Sequence, residues 1–462
     1  MNSPQRVYPP GPRGREVLGF FGRGKFPHTL GFLEDAAQRY GPLVYFRLLH
    51  LPTFLATGPE FVKEVLIVQQ RSFGRDFGAS ILRELVGDSI ITREEPLHLE
   101  RRRVLQPAFH REQIASYVTV MADEAAATAE EWTRRAATGE LTVDIGAAMK
   151  ATTLSVMGRL LFGEEFRSSA DQISDVLGHV VRRAKRIAPF AMMLKVLTRR
   201  YRQMLPSGPS LYFRAQRAEL DRILQPMIEQ RRRQTGRDVL SLLLALHDDG
   251  EGSLSSADIR NEMVTFVLAG HETTATALTW AFYLLAKHPD FQRRAAAEVE
   301  QVCGDRQLGA DDVAFLPFTA ALFQETLRLY PPVAMFGRRV LEEASLGGHT
   351  VPRGATVLLS PYITQRSEES FPRAEEFDPT RWLDAPPGSR FAFFPFGGGA
   401  KMCIGDVFAK TEGTVILASL LRKFCFSLAS DVPVEVDPGV TVKPKRPILL
   451  KVCYRSLTVT AR

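Results

Sequence analysis

The sequence predicts a mainly α fold with small β-sheets, built as one large domain. Apolar residues recur at helical spacing over most of the chain between about 98 and 287. One of these runs, opening at Ser255, is far longer than the rest, and the strand-like runs are few and short. The 462 residues are 45% hydrophobic and 24% charged, enough for a sizeable core. Length alone would suggest about three domains. No Gly/Ser linker, low-complexity tract or fixed-period repeat marks a boundary, so residues 1–462 are expected to form a single unit.

In chain order, Met1 to Gly14 is rich in Pro and Arg and holds no apolar stretch of signal or anchor type. Strands are expected at Leu43 to Leu48 and Thr53 to Thr57. Helical patterns follow over His98 to Phe109, Tyr117 to Ala137, Thr142 to Leu161, Ile173 to Arg202 and Tyr212 to Arg233. Ser255 and Asp258 have capping-box spacing and start the long helix, which Pro289 stops after Lys287. Beyond Pro331 and Pro332, short strands with Gly347-Gly348 and Pro352 turns run to Leu359, and a last helix covers Gly405 to Leu420. Most strands are thus expected in 1–70 and 333–400, with 71–332 and 405–424 mainly helical.

Composition narrows the function. Cys303, Cys403, Cys425 and Cys453 lack the spacing of a zinc site or a secreted disulfide framework, which fits a reducing cytoplasm. Met263 to Ala286 is apolar enough to be weighed as a membrane span, but His271 and Glu272 interrupt it and no second span accompanies it. A net charge of +7 invites an acidic partner. Nucleic acid is not expected, because Arg101 to Arg103 and Arg231 to Arg233 lie on helical patterns without a nucleic-acid-binding signature.

The strongest chemical signal is Phe396-Gly-Gly-Gly-Ala-Lys-Met-Cys403-Ile-Gly405. A cysteine in a glycine loop leading into a helix lies near free backbone N–H groups and the positive helix end, both of which favour the thiolate. Gly398, Gly399 and Gly405 let backbone approach a flat cofactor, and Phe396 can shield the sulfur. The alternative is a structural cysteine in an ordinary turn. Glu325-Thr-Leu-Arg328 places an acid and a base on one helix face, where an exposed pair is the default. In Ala269-Gly-His-Glu-Thr-Thr274, Glu272 and Thr273 put an acid beside a hydroxyl in an apolar helix, the outline of a proton relay. There the alternative is a threonine bonded back to a carbonyl and a glutamate facing solvent.

Together these segments resemble the cytochrome P-450 family, in the family's order and over nearly the whole chain. Phe396, Gly399, Cys403 and Gly405 match its cysteine loop, while Lys401 stands where an Arg or His is usual. The resemblance implies a long central helix over a haem, with the Cys-ligand loop on the opposite face. It implies haem b as cofactor, Cys403 as the iron ligand and Ala269 and Gly270 as the surface above the haem. Glu325, Arg328 and Arg381 become a structural network, and His98, Arg102, Arg338 and Lys401 propionate partners. A thiolate ligand favours O–O cleavage. The implied reaction inserts one atom of O2 into a C–H bond or double bond of a lipophilic molecule such as a fatty acid, terpenoid or steroid. Pocket candidates are Phe77, Ile81, Leu85, Phe190, Met193, Phe266, Val333 and Phe336, with Arg83, Arg182, Arg183 and Lys185 at the mouth.

A peroxygenase or a haem-binding carrier or sensor are the competing functions; Glu272 and Thr273 favour the monooxygenase. No flavin or iron-sulfur motif is present, so a separate acidic ferredoxin or flavodoxin with its reductase is expected. Its docking face would carry Arg101, Arg103, Arg111, Lys410, Arg422 and Lys423.

Overall fold

A computed structural model describes residues 8–17, 28–48, 50–137, 139–164, 166, 172–173, 175–176, 178–179, 208–233, 236, 238–248, 254–384, 388–438 and 441–455. The sequence-predicted helix over Ile173 to Arg202 lies largely outside the described residues, as do Arg182, Arg183 and Lys185. The helices that position the site are α1 (His28–Tyr40), α2 (Phe77–Val86), α3 (Leu97–Leu105), α4 (Arg111–Ala136), α5 (Ile145–Phe162), α6 (Gly208–Arg233), α7 (Val239–Asp248), α8 (Ser256–Lys287), α9 (Pro289–Cys303), α10 (Pro317–Leu329) and α11 (Asp406–Lys423).

α8 forms because Ser255 and Asp258 close a full capping box, and it ends at His288 before Pro289. Its burial on nearly every face creates a polar problem that the helix solves internally. Thr265, Thr273, Thr276 and Thr279 each donate to the carbonyl four residues back, at 2.6 to 2.8 Å. α5 packs close alongside: a side chain at Gly270 would collide with Met157, and Thr153 donates to the His271 carbonyl (3.0 Å). No helix of the described residues is long and apolar enough to cross a membrane.

The strands are β1 (Leu43–Leu48), β2 (Leu51–Ala56), β3 (Phe73–Arg75), β4 (Leu141–Asp144), β5 (Phe336–Val340), β6 (Ala344–Leu346), β7 (His349–Val351), β8 (Thr356–Leu359), β9 (Phe424–Leu428), β10 (Val436–Pro438), β11 (Val442–Pro444) and β12 (Leu449–Tyr454). The largest sheet has the order β1-β2-β8-β5-β3, and the β2/β8 pair is parallel. A second sheet runs β4-β12-β9, and β6-β7 and β10-β11 are two-stranded.

One sequence expectation is corrected. The helix expected from Thr142 begins only at Ile145, capped by Asp144, which accepts from the Ala147 N–H; residues 141–144 are instead paired with β12, some 300 residues downstream. Strands also occupy 424–454, a stretch to which the sequence assigned no element. β9 to β12 alternate too briefly to stand out, and their partners are remote in sequence.

The apolar core falls into two large clusters sharing α8. One joins α2, α4, α5, α6 and α7 on one flank. The other lies under Trp132, Trp280, Phe282 and the β4-β12-β9 sheet.

Candidate active site

Cys403 sits in a loop whose shape only glycine permits. Gly397 and Gly399 have φ of +72° and +70°. A side chain at Gly399 would also strike the Leu66 carbonyl, because the segment Glu64–Val68 presses on the loop and Gln70 accepts from the Ala400 N–H (3.0 Å). The Cys403 N–H closes the turn on the Phe396 carbonyl (3.0 Å). Gly405 has room for a side chain, with only the Phe109 ring at 3.7 Å, so its contribution is its N–H toward Cys403 and not the absence of bulk.

Cys403 retains accessible surface although protein surrounds it, so that surface faces an interior hollow. Burial pushes its thiol up, against the Gly405 N–H and the charges of Arg102 and Lys410, which favour the thiolate. Arg102 donates from Nη1 to the Met402 carbonyl (2.5 Å), bracing the ligand loop. Lys410 lies over the Phe396 ring, 5.2 Å from its centroid.

In the middle of α8, Ala269 is exposed and Leu268, Gly270 and Thr273 are half-buried, between long buried stretches of the helix. The space left by the missing Gly270 side chain is filled by Met157. Thr273 donates to the Ala269 carbonyl (2.7 Å), the bland alternative in part, yet that bond leaves its oxygen lone pairs free to accept. Glu272 is buried and ion-paired with Lys443 of β11. Lys443 also lines a cleft of about 470 Å³, together with Lys150, Ser155, Thr276 and Thr279. His271 points into the α5 contact, and burial lowers its pKa to about 4, so it is neutral.

A positive cluster stands beside the cysteine loop, to which Lys401 belongs. Arg75 and Arg338 are direct cross-strand neighbours on β3 and β5. Like charges placed so are destabilising unless an anion lies between or beside them. Burial, then Arg338, lowers Arg75 to about 10; burial also lowers Arg338, and Lys401 is lowered by burial and by both arginines. His98, 1% exposed, bonds Glu95 through Nδ1 (3.0 Å), and burial with the Arg75 charge lowers it to about 4. Glu94, Glu95 and Asp76 offset part of this charge. A flat cofactor with two acidic arms fits the remainder, beside a thiol that faces the same hollow. Arg75 was missed in the sequence; its only signal was a cation inside the strand-like Phe73-Gly-Arg75.

Glu325 and Arg328 are fully buried. Arg328 donates to Glu325 from Nε and Nη2 (2.9 and 2.8 Å) and to the carbonyls of Gln365, Ala374 and Glu376. Glu325 also accepts from Arg381 Nε (3.0 Å), Trp382 Nε1 (2.8 Å) and the Asp378 N–H (3.0 Å). The network ties α10 to the segment before the cysteine loop, as expected, with Trp382 as an added member.

Among the pocket candidates, Val333 and Phe336 are partly accessible. Leu85 and Phe266 are instead core residues, 1% and 6% exposed, and Phe266 packs edge-on against Phe109. Nothing is described for the side chains of Phe77 and Ile81, and Phe190 and Met193 lie outside the described residues. Arg101 is removed from the docking face: it is buried and paired with Asp258 (2.5 Å) and Glu262 (3.6 Å). Arg422 donates to the carbonyls of Gly304 and Arg306. Arg103 and Arg111 are exposed.

A family model described as "Cytochrome P450" matches residues 9–452. Cyclooctatin synthase of Streptomyces melanosporofaciens is 36% identical over 418 residues, 88% of this chain and 86% of that protein. Cyclooctat-9-en-7-ol 5-monooxygenase of the same organism is 35% identical, covering 83% and 82%. Pentalenene oxygenase of Streptomyces avermitilis is 33% identical, covering 91% and 92%. Among solved structures, a cytochrome P450DA heme domain superposes with a TM-score of 0.84 over 97% of this chain and 98% of that one, at 26% identity.

Proposed function

The chain belongs to the cytochrome P-450 family, and from that premise we propose that it oxygenates a terpenoid. The family makes it a haem-dependent monooxygenase that needs O2, a substrate and a redox partner. The observation that carries the substrate reading is the apolar character of the accessible candidate pocket residues Ala269, Val333 and Phe336, beside the hydroxyl of Thr273. Such a wall suits a hydrocarbon skeleton, recognised by area and shape. Two relatives named for oxidations of terpenoid compounds agree with it.

Haem bound through Cys403 would supply O2 activation, one oxygen atom entering the substrate and the other leaving as water. Cys403 would hold the iron, braced by Arg102 at Met402. His98, Arg102, Arg338 and Lys401 would meet the acidic arms, with Arg75 opposite Arg338. The three other cysteines lie in α9, β9 and β12, so no described thiol is placed for a covalent haem link, which supports haem b.

Proton delivery falls to Thr273 and Glu272. The Thr273 hydroxyl, its own proton committed to Ala269, accepts a hydrogen bond from a group in the hollow. Glu272 draws protons from the cleft side, where Lys443 holds it. This division of roles favours a monooxygenase over a peroxygenase or a carrier. For the electron source, the net charge of +7 with exposed Arg103 and Arg111 supports an acidic ferredoxin or flavodoxin.

The test is a titration of haem-loaded protein with terpene hydrocarbons and alcohols, fatty acids and steroids. Haem absorbance follows binding, and mass spectrometry follows product after supply of electrons. Terpenoids are expected to bind saturably and gain one oxygen. Turnover of fatty acids with no terpenoid response would overturn the substrate reading and leave the family standing.

A further inference from the structure

Cysteine is among the residue types most often buried, yet two cysteines stand opposite each other on the outward face of the β4-β12-β9 sheet. Cys425 of β9 and Cys453 of β12 are direct register partners. Their flanking residues Phe424, Phe426 and Val452 turn inward to the core, while Ser427 and Lys451 share the outward side. Cys453 is exposed and Cys425 half-buried, both as free thiols. The sulfurs are close enough to hydrogen-bond, and Cys425 Sγ also donates to the Cys453 carbonyl (3.4 Å).

The phase of the ladder is fixed on both sides, since the Arg455 N–H donates to the Lys423 carbonyl and the Ala429 N–H to the Leu449 carbonyl, both at 3.0 Å. Cys425 and Cys453 are therefore a hydrogen-bonded pair, with a Cα separation of about 5.5 Å. That separation lies within the range a disulfide spans, roughly 4.4 to 6.8 Å. An accessible cross-link on such a ladder is expected to be labile, since exposed or strained disulfides are the more easily reduced ones. A second observation points to chemistry at the same place. Arg455 lies beside Cys425, held by Nε on the Leu421 carbonyl (3.1 Å), and its buried Nη2 has no hydrogen-bond partner among the described residues. It is a ready donor to oxygen or negative charge arising on Cys425 during oxidation.

We propose that Cys425 and Cys453 form a reversible intramolecular disulfide, an oxidation site separate from the haem pocket. With hydrogen peroxide as oxidant, the Cys425 sulfur attacks one peroxide oxygen. The O–O bond breaks, water leaves, and a sulfenic acid remains. Cys453 then displaces that oxygen as a second water, so two thiols lose two electrons and two protons as the S–S bond forms. The cross-link would staple β12 to the strand that leads straight out of α11, the helix beginning three residues after Cys403. Neither Cys303, buried in α9, nor Cys403 is placed to compete.

The experiment treats haem-loaded, full-length protein with stoichiometric hydrogen peroxide, alkylates the remaining thiols and maps the peptides by mass spectrometry. The expected result is a linked Cys425–Cys453 peptide lighter by two hydrogens, lost on treatment with dithiothreitol and absent in Cys453→Ser and Cys453→Ala. Oxidation of Cys453 to sulfinic or sulfonic acid while Cys425 stays free would overturn the proposal. So would cross-links only between molecules, or two thiols that both remain alkylatable in an oxidising glutathione buffer.

Discussion

Glu412 is an unpaired acid in the middle of the core, and Glu412→Gln is expected to make the protein progressively more stable than wild type as pH rises. The residue sits on α11 with 0% exposure, and neither carboxylate oxygen has a hydrogen-bond partner among the described residues. The Thr274 hydroxyl on α8 offsets its burial only in part and falls short of hydrogen-bonding geometry. Burial therefore pushes the Glu412 pKa from 4.5 up to about 8. The unfolded chain gives up this proton near pH 4.5 while the folded chain keeps it to about 8. Between those values the unfolded state binds fewer protons, and stability falls with pH. The loss is about 1.4 kcal/mol per pH unit, with a ceiling of about 5 kcal/mol reached near pH 8 and flat beyond. Glutamine keeps the shape without the titration, so any fixed packing cost shifts its curve by a constant. The assay compares urea unfolding midpoints of the two haem-loaded proteins from pH 4 to 9. A stability difference that widens with pH in favour of the variant and levels off near pH 8 is expected. Parallel curves would refute the argument, because they would mean that Glu412 ionises inside the fold as readily as outside it.

The other predictions probe the site. Cys403→His or Cys403→Ala should abolish the thiolate signature in the absorption of the reduced carbon monoxide complex, which single replacement of Cys303, Cys425 or Cys453 should preserve. Thr273→Ala should leave haem and substrate binding nearly intact but divert reductant into peroxide, read as the ratio of product to electrons consumed; an unchanged ratio removes Thr273 from the relay. Lys443→Met should alter the pH profile and solvent isotope effect of turnover while Lys443→Arg restores them, because the pair holds Glu272 at the cleft; wild-type behaviour in both variants would show that the pairing has no part in proton delivery. Glu325→Ala strands Arg328 and Arg381 at a cost of about 3 to 5 kcal/mol, so little haem-loaded protein should accumulate; active, haem-replete variant would contradict the structural role.

Local chemistry was legible in the sequence wherever a motif carries its own geometry. The capping box at Ser255, the glycine loop at Cys403 and the acid and base one helical turn apart at Glu325 and Arg328 all depend on neighbours within ten residues. The family followed from them, and with it the reaction. The same local view failed wherever the deciding partner was remote. Residues 142–144 read as helix because β12 is some 300 residues away, and Arg101 read as a docking charge because Asp258 and Glu262 come from α8. Gly270 read as space for a cofactor, whereas the fold gives that space to Met157.

What the sequence determined by itself was the kind of protein: a helix-rich chain of the cytochrome P-450 family with a cysteine in a glycine loop, an acid and a base on one helix face and an acid beside an alcohol. Tertiary structure decided what each charged group faces. Only the approach of β3 to β5 sets Arg75 against Arg338, only the packing of α11 under α8 isolates Glu412, and only the β10-β11 hairpin brings Lys443 to Glu272. The physical reason is that a motif's backbone geometry is a short-range property of the chain. Desolvation and charge pairing are set by whatever distant segment arrives to fill the space.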